Sequence, residues 1–270
     1  MSKSHYFLVL VGILTLVAPA TPVHADLALE TETARLVLPG KFELGTAFEF
    51  QTSTQGQEIA LPVEFEVGLV KNLELKVEPV AYTAILPSQG RNASGLGDLE
   101  VTLLGLVLKE KGGLPAVAVA GEVKIPTARN NLIGTQQTDG TIYLIASKQL
   151  GHLDLHTNIG YTFVGQPSGV SLKNTFNLAL AGEYRLNRKF DLLAEGLYTT
   201  SSASSGSGEI GSGAAGDLGR FPLVPEASGS ELIGTAGVRY HLQPNIDLFT
   251  TGSYDNNNAF LVRTGVNWKF

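Results

Sequence analysis

The residues of this chain best suited to chemistry are carboxylates spaced by even numbers. Glu43 and Glu49, Glu64 and Glu66, and Glu74 and Glu78 each share one side of a two-residue period, and Glu100 and Glu122 follow the same rule. Asp154, Glu183, Asp191, Glu195 and Asp247 continue it, with the cations Lys76, Lys124, Arg185, Arg239, Arg263 and Lys269 set among them and His156 on the same side. Paired acids can act as general acid and base or hold a hard cation. Here alternation alone puts two acids on one face, so the spacing gives no independent reason for acid–base work. What these groups can do depends on the elements that hold them.

Composition narrows those elements. The chain has 270 residues, 43% hydrophobic and only 16% charged, with a formal net charge of −6 and 31 glycines. The acidic balance argues against a nucleic-acid partner, which wants a basic patch. The hydrophobic content excludes disorder. With no cysteine there is no disulfide framework and no thiolate zinc site. No nucleotide, haem or metal pattern appears: Gly206–Gly216 is glycine-rich without a strand-to-helix context, and Asn92-Ala93-Ser94 is a sequon of chance-level spacing. No cofactor is implied.

Residues 1–25 form a secretory signal. Lys3 supplies a positive start, Phe7–Ala20 an apolar run, and Val23-His24-Ala25 the small residues of a cleavage site. The run is shorter than the ~20 residues of a spanning helix. With no other long apolar run, insertion of the mature chain into a membrane requires strands.

From Lys41 the period is two. Phe42, Leu44, Thr46, Phe48 and Phe50 oppose Glu43, Gly45, Ala47, Glu49 and Gln51. Leu61, Val63, Phe65, Val67 and Leu69 oppose Glu64, Glu66 and Gly68. A helix of period 3.6 would not separate these sets. About twelve such segments follow: 41–53, 58–70, 72–86, 97–109, 114–127, 140–150, 152–165, 174–186, 189–201, 230–242, 245–255 and 259–270. The facing of 140–150 is left open by its poor alternation.

Tight connections near 71, 110–113, 151, 187–188 and 243–245 alternate with mostly longer ones at 87–96, 128–139, 166–173 and 202–229, the last rich in Ser, Gly and Ala. An even number of long strands with short turns at one end and longer loops at the other is the layout of an antiparallel up-and-down transmembrane β-barrel. The expected organisation is a signal over 1–25, a periplasmic segment over 26–40, and a barrel over 41–270 with a mobile loop at 202–229. Outward Tyr161, Tyr198 and Tyr254 would form one interfacial belt, and Tyr184, Tyr240 and Trp268 the other.

The end of the chain alternates Phe260, Val262, Thr264, Val266, Trp268 and Phe270. This resembles the carboxy-terminal assembly signal of bacterial outer-membrane proteins, which implies the barrel-assembly machinery as a partner beside outer-membrane lipid. Gly95-Leu96-Gly97-Asp98 opens a strand after a loop, Leu38-Pro39-Gly40-Lys41-Phe42 leads into the first strand, and Glu122–Thr127 reads EVKIPT before a polar loop. These segments, within a resemblance that covers nearly the whole mature chain, are similar to the family labelled "MetA-pathway of phenol degradation", whose members are described as outer-membrane transporters. Gly95, Gly97 and Asp98 carry the motif. The resemblance implies passage of small solutes, aromatic or hydrophobic compounds among them, and supplies no catalytic residues.

Inside such a barrel the acids and cations allow two readings, which can coexist. One is a salt-bridged lumen that stiffens the wall. The other is a narrow acid-lined pore favouring cations or neutral solutes. Arg263 and Lys269 on the last strand should close beside Glu49 and Glu43 on the first. A barrel of intermediate size conducts only as its loops permit, and 202–229 could serve as plug or lid. A structural or ligand-binding, adhesive barrel without an open pore is the alternative function. His156-Thr157-Asn158 faintly resembles an outer-membrane phospholipase motif, but Asn158 stands where that chemistry needs a Ser. A lumenal hydrogen-bonding His is the better reading.

Overall fold

The computed structural model describes residues 27–168, 171–202 and 230–270. The expected signal (1–25) and nearly all of the 202–229 loop lie outside the described residues. Thirteen strands follow in chain order: β1 (Phe42–Ser53), β2 (Gly56–Val70), β3 (Leu73–Pro87), β4 (Ala93–Gly95), β5 (Leu99–Leu108), β6 (Ala116–Ile125), β7 (Asp139–Leu150), β8 (Leu153–Phe163), β9 (Thr175–Arg185), β10 (Phe190–Thr199), β11 (Glu231–Gln243), β12 (Ile246–Asp255) and β13 (Phe260–Lys269). β4 is a three-residue ribbon on the far end of β3. The other twelve pair antiparallel in sequence order, and β1 pairs with β13, so the sheet is closed.

The two-residue period decides the facing. Along β1, Glu43, Gly45, Ala47, Glu49 and Gln51 are buried while Phe42 and Phe48 are exposed. Around the wall the outward side is apolar, with Ile142 61% and Leu180 60% exposed. A continuous belt of large apolar side chains is a lipid-facing surface. Aromatic rings stand at both rims, which places the chain as an outer-membrane barrel.

The segment of uncertain facing, β7, turns Thr141, Tyr143, Ile145 and Ser147 inward. The strand expected over 97–109 is shortened to β5. Gly97 passes so close to β3 that a Cβ there would lie 2.6 Å from that of Val80. Asp98 Oδ1 accepts the Ala128 N–H at 2.9 Å.

One expectation is corrected outright. The periplasmic placement of 26–40 does not hold for residues 27–37, which run inside the barrel. Leu27, Ala28, Thr31, Thr33, Ala34 and Val37 are all buried, and Leu38 (66% exposed) marks the exit. The physical reason lies in the backbone. A buried strip must find acceptors for its N–H groups, and wall side chains supply them: Thr31 N–H donates to Glu195 (2.7 Å), Ala34 N–H to Ser147 Oγ (2.8 Å) and Val37 N–H to Glu74 (2.5 Å).

Candidate functional site: the occupied lumen

The interior has two kinds of wall. Patches of the inward face of β5–β7 and β9–β11 are small or apolar: Ala118, Ala120, Tyr143 and Ile145 join Leu104, Ala179, Leu197 and Ile233 in one cluster that receives Ala34 and Leu36. A second cluster of Ala47, Leu193 and Phe249 receives Leu27, Ala28 and Leu29. The wall from β1 to β6 is rich in acids. The N-terminal strip therefore meets both apolar patches and charged or polar groups of the wall.

Three cations fix the charged side. Arg35 reaches Asp154 with Nε and Nη2, both at 2.7 Å, and Glu110 at 2.9 Å. That two-toothed grip suits a planar guanidinium. Lys76 on β3 bonds Glu32 of the strip and approaches Glu78 at 3.2 Å and Glu64 at 3.4 Å. Arg263 on β13 holds Glu49 of β1 at 2.7 Å, the Leu27 carbonyl at 3.1 Å, and Glu30. Outside the strands, Glu110 also accepts from Lys148 and from the Gln149 N–H. Burial works against its charge, but these bonds and that of Arg35 outweigh it and hold the carboxyl below its ordinary value of 4.5.

Each residue singled out in the sequence has a definite place. Glu43, Glu49, Glu64, Glu66, Glu74, Lys76, Glu78, Glu122, Asp154, His156, Glu183, Glu195, Arg239 and Arg263 are buried on the inner face. Glu100, Lys124 and Arg185 are partly buried there. Across the seam the register sets Glu43 opposite Lys269 and Glu49 opposite Arg263. Lys124 pairs with Asp139, and Arg239 with Glu183. Near the tight turns His241 bridges Asp247 (2.6 Å) and Asp191 (2.9 Å), and Lys269 bonds Asp247 at 2.8 Å. Asp98 meets the loop after β6, its Oδ1 accepting the Ala128 N–H. Tyr161, Tyr184, Tyr198 and Tyr254 are exposed outward. Tyr240 lies against Phe190 with ring centroids 4.9 Å apart, Phe270 stacks on Phe42 at 4.5 Å, and Trp268 pairs with Leu44 in the ladder.

His156 makes a contact that sequence spacing did not reveal. Ser147 Oγ lies 2.8 Å from its Nδ1, and Asp154 stands 3.9 Å from its Nε2. The trio has the composition of a hydrolase triad, but Ser147 is 0% exposed and its Oγ already accepts the Ala34 N–H. A nucleophile must meet a substrate carbonyl; this hydroxyl meets the strip. The pair seats the strip in the wall.

Beside the strip is a recess of about 500 Å³, counting the space open to solvent at its mouth. Leu27, Leu29 and Tyr143 line it together with carboxylates, Lys76, Asn158 and Arg263.

A family model described as "Putative MetA-pathway of phenol degradation" matches residues 31–270. Among solved structures, the COG4313 outer membrane channel from Pseudomonas putida F1 is similar with a TM-score of 0.62 at 12% identity, covering 87% of this chain and 97% of that one. The NanC porin in a rhombohedral crystal form has a TM-score of 0.58 at 12% identity, covering 84% and 100%. The KdgM porin in complex with disordered oligogalacturonate has 0.54 at 10%, covering 84% and 99%. At such identities the likeness is one of fold. No protein of curated function matches the chain.

Proposed function

The chain belongs to that family, and from this premise we propose that it is an outer-membrane channel for small solutes whose lumen is narrowed by its own N-terminal strip. The observation that carries the reading is the unequal lumen. A wall serving only as a stiffener would hold acids and cations in equal number, whereas the recess beside the strip is lined by more carboxylates than cations, with Leu27, Leu29 and Tyr143 among them. A negative, low-dielectric cleft raises the local concentration of cations. The apolar patches among the inward side chains of β5–β7 and β9–β12 favour solutes with an aromatic or hydrophobic body. The last strand, ending in Trp268 and Phe270, is the part offered to the barrel-assembly machinery.

A second reading has its own observation: the strip is held by hydrogen bonds and ion pairs along its length, which suits a structural or ligand-binding barrel without an open pore. Planar-bilayer recording under a salt gradient separates the two. Discrete, cation-preferring steps from the folded chain, larger once residues 27–37 are deleted, are expected of a channel. Silence from both folded forms would overturn that reading and leave the second.

A further inference from the structure

Charge on the outside of the barrel has one sign. Among the described residues no Asp or Glu side chain is exposed, and every exposed charged side chain is a cation, although the chain as a whole carries −6. Six of these cations, Lys41, Lys71, Lys109, Lys111, Arg188 and Lys189, stand at the tight-turn end, ahead of β1 and in the β2–β3, β5–β6 and β9–β10 connections. None of the six has an ion-pair partner among the described residues. The acids of that end are turned inward: Glu43, Glu74, Asp154, Asp191 and Asp247 are buried, and Glu110 is held by Arg35 and Lys148. The exposed cations of the far end are Arg91, Arg129 and Lys173.

A second observation concerns what lies next to these cations. Lys71 follows Leu69 and Val70, Lys109 follows Val107 and Leu108, and Lys111 stands three residues before Leu114, all of them exposed apolar side chains. Arg188 and Lys189 lie between exposed Leu186 and Phe190, and Lys41 between exposed Leu38 and Phe42. The six therefore border the lipid-facing belt. A Lys or Arg at such a border lays its stem on the apolar surface and carries its charge to the height of the headgroups. They are spread over separate stretches of the perimeter, so a compact soluble anion meets only one or two of them, whereas a leaflet meets all six. A zwitterionic headgroup brings its own ammonium to each phosphate; an anionic one leaves the phosphate to the protein.

We propose that these six residues form a collar that binds anionic phospholipid, through headgroups whose phosphate carries no compensating ammonium, in the leaflet at the tight-turn end. In outer-membrane barrels the tight turns face the periplasm, so the leaflet is the inner one. Basic residues at a bilayer surface draw anionic lipid toward them and lose that pull as salt screens it. Conduction plays no part in the inference, and it stands whether the lumen is open or shut.

The chain's one tryptophan, Trp268, is half-buried near the end of β13, across from Leu44 of β1. It reports on lipid at this rim. The folded full-length barrel is placed in phosphatidylcholine vesicles containing brominated phosphatidylglycerol or, in parallel, brominated phosphatidylcholine, and quenching of Trp268 fluorescence gives the relative association of the two lipids. A preference of about threefold for phosphatidylglycerol is expected at low salt, falling toward equality in concentrated salt. Lys41 and Lys71 lie one and two strands from Trp268. Lys41→Gln with Lys71→Gln should abolish the preference, and Lys41→Arg with Lys71→Arg should keep it. Trp268→Phe with Tyr254→Trp moves the reporter to the opposite rim, where the preference is expected to be distinctly smaller. Both leaflets of the vesicle have one composition, so the direction of insertion does not enter. Each variant is first checked for the heat-modifiable gel shift of a closed barrel. No preference at Trp268, an equal or larger preference at the opposite rim, or a preference unchanged by the Gln pair would overturn the proposal.

Discussion

Arg263, on the last strand, donates from Nε to Glu49 on the first at 2.7 Å and from Nη1 to the Leu27 carbonyl at 3.1 Å. One guanidinium thus joins the barrel's seam to the strip inside it. Arg263→Ala would leave Glu49 buried without its partner and release Glu30. Loss of one member of a buried pair costs about 3–5 kcal/mol. The variant should unfold at distinctly lower urea than the parent, followed through Trp268 fluorescence, and should show larger and noisier bilayer currents. Unchanged midpoint and current would mean that the seam and strip are held elsewhere.

Ala34 and Ser147 touch through a backbone-to-hydroxyl bond of 2.8 Å, and the chain has no native cysteine. A double variant, Ala34→Cys with Ser147→Cys, should form a disulfide that fixes the strip to β7. Oxidised protein is expected to conduct less than reduced protein in the same bilayer, with recovery on adding reductant. Equal currents in both redox states would show that conduction does not depend on displacement of the strip.

Gly68 marks the strip's exit. A Cβ there would lie 2.2 Å from the Leu38 carbonyl oxygen, while Gly40 N–H donates to the Gly68 carbonyl and Gly68 N–H to that of Lys41. Gly68→Ala must push the exiting backbone off the wall. The expected destabilisation is about 1–3 kcal/mol by overpacking, with faster amide exchange near residues 36–41 than at β9 or β10, measured by hydrogen–deuterium exchange.

Asp98 ties β5 to the loop beyond β6. Its Oδ1 holds Ala128 N–H, and the loop packs Ala128 and Ile133 on Ile85 and Ala93. Asp98→Ala should expose 126–138 to trypsin at Arg129 while leaving the barrel's heat-modifiable shift intact. Resistance equal to the parent would mean that the apolar cluster suffices.

Glu110 supplies the pH dependence. Its carboxyl is held below 4.5 in the folded chain, so the folded state binds a proton less readily than the unfolded one. The stabilisation it gives is complete above the unfolded value and is lost as pH falls through the lower folded value. The group is partly solvent-exposed, with side-chain exposure of 22%, so the contribution is below about 1 kcal/mol. Glu110→Gln should be slightly less stable than the parent at pH 7 and indistinguishable from it well below pH 4, by urea midpoints at each pH.

The wall was legible because alternation is a local property. Lys41–Gln51 and 260–270 each announce a face by themselves, and the apposition of Glu49 with Arg263 follows once first and last strands are joined. The segment expected over 97–109 is observed as Leu99–Leu108, a difference of one or two residues at each end that alternation does not fix. The strip was missed because the bonds that hold it to the wall are long-range: Arg35 to Asp154, Thr31 to Glu195, Arg263 to Glu30. A faint sign was present, since Leu27, Leu29, Leu36 and Val37 are too apolar, and Glu30, Glu32 and Arg35 too regularly charged, for a free tail. The Ser147–His156 contact was hidden because it depends on which residue of β7 stands across from His156, a matter of register.

The dual grip of Arg263 also bears on the order in which the molecule is made. Leu27 is among the first of the described residues to be synthesised and Arg263 among the last, 236 positions apart. The strip cannot acquire its final anchor before β13 arrives, and β13 reaches β1 through the same side chain that grips the strip. The grip on Leu27 and Glu30 is thus completed only as the cylinder is sealed, and a chain stopped short of β13 would have an open wall and a strip fastened only by its bonds to earlier strands, such as those of Thr31 to Glu195 and Ala34 to Ser147.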